Sequence, residues 1–77
     1  MIRVISVRPA GNGWSVHSDG LDGEMMFLSG AKAEAAARRL AGDLARNGES
    51  SEIRIYLRGG ALAGRLVVPA GPLALAG

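Results

Sequence analysis

The chain has no cysteine. No disulfide can staple it, and zinc sites built on thiolates are excluded. His17 is its single histidine, so nitrogen ligands cannot take the place of the missing sulfur. The lack of thiols fits a reducing compartment, and the expectation is a cytoplasmic protein. Aromatic residues are scarce too, being limited to Trp14, Phe27 and Tyr56. No apolar run approaches the roughly 20 residues that a membrane helix needs. Met1 to Val7 does not read as a secretory leader, so neither a membrane partner nor an exported protein is expected.

What is present is a 77-residue chain that is 48% hydrophobic. Much of that fraction is alanine, so the core must be thin. A thin core in a short chain favours help from a second copy, and a homodimer is the expectation. The formal net charge is +2, and eight of the nine basic residues are arginine. The charge is uneven. Residues 1–30 set Arg3 and Arg8 against Asp19, Asp22 and Glu24, whereas residues 51–77 set Arg54, Arg58 and Arg65 against Glu52 alone.

The order of local patterns predicts β-β-β-α-β-β. Ile2 to Arg8 is rich in β-branched residues and reads as a strand that Pro9 ends. Trp14 to Ser18 alternates with a period of two after the turn Ala10 to Gly13. Glu24 to Leu28 follows a second glycine-rich turn as a short third strand. Ser29 is a candidate N-cap. Beyond it, Ala33, Ala37, Leu40, Ala41 and Leu44 form one narrow apolar stripe at helical spacing. Glu34–Arg38 and Arg39–Asp43 sit at the i,i+4 spacing of helix ion pairs. Gly42 inside the helix predicts a close approach to the sheet, and Asn47–Gly48 predict a left-handed stop.

After the helix, Ile53, Ile55 and Leu57 alternate with Glu52, Arg54, Tyr56 and Arg58. Gly59–Gly60 predict a tight hairpin. Its register would set Leu57 against Leu62, Ile55 against Gly64 and Ile53 against Leu66 on the helix side, with Gly64 leaving room or marking a bulge. The fold class is therefore α+β: one domain over residues 1–69, a mostly antiparallel sheet with one helix on one face. Residues 70–77, broken by Gly71 and Pro72, read as a flexible tail.

Catalysis needs a nucleophile, a base or a metal set, and no such set is apparent. His17 and Asp19 share a strand face, but a solvated strand histidine accounts for that. Asp19, Asp22 and Glu24 do not follow calcium-loop spacing. Gly11-Asn12-Gly13 opens onto a strand and has no third glycine at Val16, unlike a dinucleotide fingerprint. No catalytic residue, cofactor or metal is expected. The one constellation that stands out is Arg54, Tyr56, Arg58 and Arg65 on one sheet face, where Arg54 and Arg65 would oppose each other directly. Arginines contact phosphates and a tyrosine ring stacks a base.

Val7-Arg8-Pro9, Gly13-Trp14-Ser15-Val16, the alanine-rich stretch Ala33 to Leu44, Ser51-Glu52-Ile53-Arg54-Ile55 and the turn Arg58-Gly59-Gly60 together resemble a bacterial family of small uncharacterised proteins, domain of unknown function number twenty-one eighty-eight. Members carry an aspartate and a histidine where this chain has Gly59 and Tyr56 or Leu57. The resemblance implies the fold and no activity. Three strands followed by a helix are also similar in architecture to the arm-binding domain of phage-type integrases and to small antitoxin domains related to the double-stranded-RNA-binding fold. The expectation is a non-enzymatic interaction module. Its uncovered sheet face would meet a second copy or a protein partner; the alternative is a weak nucleic-acid binder using Arg54, Tyr56, Arg58 and Arg65.

Overall fold

A computed structural model describes residues 2–71. Five strands and one helix follow in the predicted order: β1 Ile2–Ala10, β2 Gly13–Ser18, β3 Met25–Phe27, α1 Gly30–Arg46, β4 Ser50–Tyr56 and β5 Leu62–Val68. The strands make one sheet in the order β3-β2-β1-β4-β5. Three neighbouring pairs are antiparallel, and β1 runs parallel to β4. Parallel neighbours need a crossover. Here the chain leaves β3 at one edge, crosses the sheet as α1, and returns as β4 on the far side of β1.

The helix stands on one face because alanine recurs every fourth residue. Ala33, Ala37, Ala41 and Ala45 are all buried, and the first three pack with Ile5, Val7, Val16 and Ile53. Their small side chains bring the helix close to the sheet. Trp14, Phe27, Leu40, Leu44, Ile55 and Val68 close the margins of this core. At the start of the helix, the Ser29 Oγ accepts the Lys32 N–H at 3.1 Å, which satisfies one orphan donor. At its end Asn47 caps the last turn and Gly48 takes φ +83°.

Several local expectations are corrected. Pro9 does not end β1; it pairs with Trp14 inside the strand. The β1–β4 ladder stops at Val7, so beyond it β1 has a neighbour on one side only, where a residue without an N–H is tolerated. The third strand is shorter than Glu24 to Leu28. Strand β4 begins at Ser50 and ends at Tyr56, which leaves Leu57 and Arg58 in the hairpin loop. That loop is wider than two residues: the Leu57 N–H donates to Ala61 O at 2.8 Å, and of the two glycines Gly60 alone has positive φ, +95°.

The predicted pairs Ile55–Gly64 and Ile53–Leu66 are present. Leu62, however, opposes Tyr56 and not Leu57, because the register shifts between Ile55 and Tyr56 and leaves Ala63 as the extra residue of a bulge. The bulge turns Leu62 toward the face that carries Tyr56. In the helix, the ion pair is Arg46 with Asp43; neither Glu34–Arg38 nor Arg39–Asp43 forms one among the described residues. Residues 70 and 71 of the expected tail are held: the Ala70 N–H donates to Ser50 Oγ at 3.0 Å and the Gly71 N–H to Ala45 O at 3.0 Å. The rest of that tail, 72–77, lies outside the described residues.

Gly42 does not approach the sheet. A methyl group there would meet nothing nearer than Arg46 Nη1 at 3.7 Å, because Gly42 sits one position off the alanine row. Gly42→Ala therefore gains helix propensity at no steric cost. The expected result is a stabilisation of about 0.5–1 kcal/mol, read as a higher midpoint in urea. An unchanged or lowered midpoint would mean that the residue answers to something outside the helix.

Candidate functional site

With α1 on one side, the opposite face of the sheet is uncovered by any described element. Strand alternation assigns its residues. They include Ile2, Val4, Ser6 and Arg8 on β1; Ser15 and His17 on β2; Met26 on β3; Glu52, Arg54 and Tyr56 on β4; and Arg65 and Val67 on β5, joined beyond the bulge by Leu62. Of the four residues singled out in the sequence, Arg54, Tyr56 and Arg65 share this face. Arg54 and Arg65 are direct cross-strand partners, as the register predicts. Arg58 does not join them. It lies in the hairpin loop beyond β4, with Nη1 turned to Gly11 O at 3.4 Å.

Two further residues, which the sequence pattern does not single out, complete the cluster. The first is Arg8, whose guanidinium carbon stands 4.2 Å from the centroid of the Tyr56 ring. The parallel β1–β4 ladder, with Val7 beside Ile55, brings the two together. The second is Glu52. Its Oε2 accepts from Arg54 Nε at 3.1 Å and lies 3.1 Å from Arg65 Nε. Glu52 is only 8% exposed, while both arginines remain substantially open. One carboxylate thus holds two opposed guanidinium groups and relieves their repulsion. Hydrogen bonding to Glu52, and after it to Tyr56, raises the Arg54 pKa above its ordinary value, so this guanidinium keeps its charge throughout the working range.

The acidic turn has a structural use. The Asp19 Oδ2 accepts the Val4 N–H at 3.1 Å, and the Asp19 carbonyl accepts from Arg3 Nη1 at 2.8 Å. Arg3 is further paired with Glu49 at 2.7 Å. Among the described residues, no group of three or more histidine, aspartate or glutamate side chains is placed to hold a metal ion. A cleft of about 370 Å³ lies between the β1–β2 turn and β3 and has no titratable side chain in its lining. A second, of about 180 Å³, is lined by Val16, Leu21, Met25 and Leu40 among others. Neither reaches His17, which is exposed on the open face. No helix among the described residues is long and apolar enough to cross a membrane.

No family model, no curated protein and no solved structure matches the chain, so a functional reading rests on this geometry.

Proposed function

We propose that this protein is a non-enzymatic interaction module whose open sheet face binds nucleic acid. The observation that carries the reading is the juxtaposition of Arg8 stacked on Tyr56 with the Arg54–Glu52–Arg65 cluster on the face opposite the helix. Three guanidinium groups against one shielded carboxylate leave that face cationic. Its arginines offer forked donors for phosphate oxygens, and the Arg8–Tyr56 pair offers a surface for an unstacked base. A cytoplasmic location, the expectation from the missing cysteines, would put such a face within reach of nucleic acid.

Self-association through the same face has Ile2, Val4, Met26, Leu62 and Val67 in its favour. It would also bring the arginines of one copy against those of another, and like charges in opposition cost stability. The cationic character therefore favours a polyanion over a second copy at this surface.

Fluorescence anisotropy of labelled single- and double-stranded DNA and RNA tests the reading. Binding should weaken steeply with salt. Arg8→Ala combined with Arg54→Ala should flatten the salt dependence for a single strand by about 1.4 in log–log slope, about 0.7 for each phosphate left without its arginine. Arg46→Ala, at the far end of the helix, should leave the slope unchanged. Absence of binding at low salt, where attraction is least screened, would overturn the proposal.

A further inference from the structure

The two edges of the sheet are unlike. Strand β3 is three residues long and too short to template another strand, whereas β5 is seven residues long. No described strand pairs with the outer side of β5. It carries a single charge, Arg65, and no proline; Leu66 is 41% exposed and Val67 54%. Long apolar edges are normally blunted by charge, proline or a bulge. Here the bulge at Ala63 and the proline at position 69 sit at the two ends of a regular stretch, Gly64 to Val68, that has neither.

We infer that this stretch pairs antiparallel with the same stretch of a second copy, joining two five-stranded sheets into one of ten strands. The side-chain pattern makes the stretch complementary to itself and sets the register. A two-fold axis through Arg65 would place arginine on arginine. An axis through Val67 would set Arg65 against Pro69, which has no N–H to give. An axis through Leu66 avoids both. Leu66 then meets its own copy, and Arg65 lies beside Val67 of the second copy. Val68 lies against Gly64 of the second copy, where a methyl group would meet no atom within 4 Å in the single chain, so there is space for it. Cross-strand partners share a face, so both helices stay on one side of the joined sheet and both arginine clusters on the other. Self-association thus uses the edge and leaves the cationic face free.

Sedimentation velocity and light scattering over a concentration series, on the full chain without nucleic acid, test this independently of the binding reading. The expected species is a dimer that dissociates on dilution. Val67→Arg should fold well, because position 67 is the cross-strand partner of Glu52 in its own chain. In the dimer the new guanidinium would face Arg65 of the second copy, and the dissociation constant should rise roughly tenfold. Adding R65E to V67R places a carboxylate opposite that guanidinium across the axis and should restore the dimer. A monomer at every concentration would overturn the inference. So would an unchanged dissociation constant in V67R, or failure of the double variant to restore association. Circular dichroism confirms that each variant is folded.

Discussion

Ile5→Ala is expected to cost about 3–5 kcal/mol of folding stability, the upper part of the range for a buried isoleucine. Ile5 is 0% exposed and lies near the middle of the central strand, paired with Ser18 on one side and Ile53 on the other. The fully buried helix residues of its core cluster are alanines. Serine and alanine side chains are too short to fill a vacated space in any rotamer, and the sheet backbone on both flanks is held by ladders. The cavity therefore stays open and its full cost is felt. Globular domains hold about 0.05–0.15 kcal/mol per residue, which for 77 residues is about 4–12 kcal/mol in all. The substitution removes about a quarter or more of that total and should lower the midpoint of urea unfolding by about 1 M or more, at a slope of about 1–3 kcal/mol per molar. Ile5→Val, which leaves a smaller void, should cost about 1 kcal/mol. A loss below 1 kcal/mol for the alanine variant would show that α1 settles onto the sheet, and that the alanine row is a sliding contact and not a fixed one.

What can be read in the sequence is local. Ser29, the four-residue recurrence of alanine and Asn47–Gly48 mark the helix by capping and periodicity, which involve neighbours in the chain. Ile53–Leu66 and Ile55–Gly64 are legible because a hairpin links its register to its turn. Gly64 signals the bulge, which falls beside it at Ala63; the wider loop is not legible, since Gly59–Gly60 are compatible with more than one turn and the choice depends on where Leu57 and Tyr56 pack. The parallel β1–β4 ladder joins segments far apart in the chain, and no local pattern encodes it. Because that pairing is not legible, neither is the stacking of Arg8 on Tyr56, and alternation alone puts Arg58 on a face it does not share. Gly42 misleads for the opposite reason: a glycine in a helix suggests close packing, yet its position off the alanine row leaves it facing open space.

Glu52→Gln is expected to tighten nucleic-acid binding while it loosens the fold. Glu52 is the sole acid among the open-face residues of β1, β2, β4 and β5 named above, and it lies 3.1 Å from both Arg54 Nε and Arg65 Nε. A phosphate received by those arginines would stand about 7 Å from its carboxylate. At that separation two unit charges repel by about 0.6 kcal/mol in water and about 2.4 kcal/mol at an effective dielectric of 20. Removing the charge should therefore improve affinity at low salt by roughly tenfold. Glutamine keeps the size and an acceptor oxygen, so the side chain can still reach Arg54. The charge-assisted part of those bonds is lost, however, and Arg54 and Arg65 face each other without a counter-charge. The expected stability loss is about 1 kcal/mol. The two measurements, anisotropy at low salt and urea unfolding, should thus move in opposite directions. That divergence is specific to a cationic face used for binding. A face whose arginines serve only to neutralise Glu52 would lose stability in the variant and show no gain in affinity, and that outcome would count against nucleic acid as the partner.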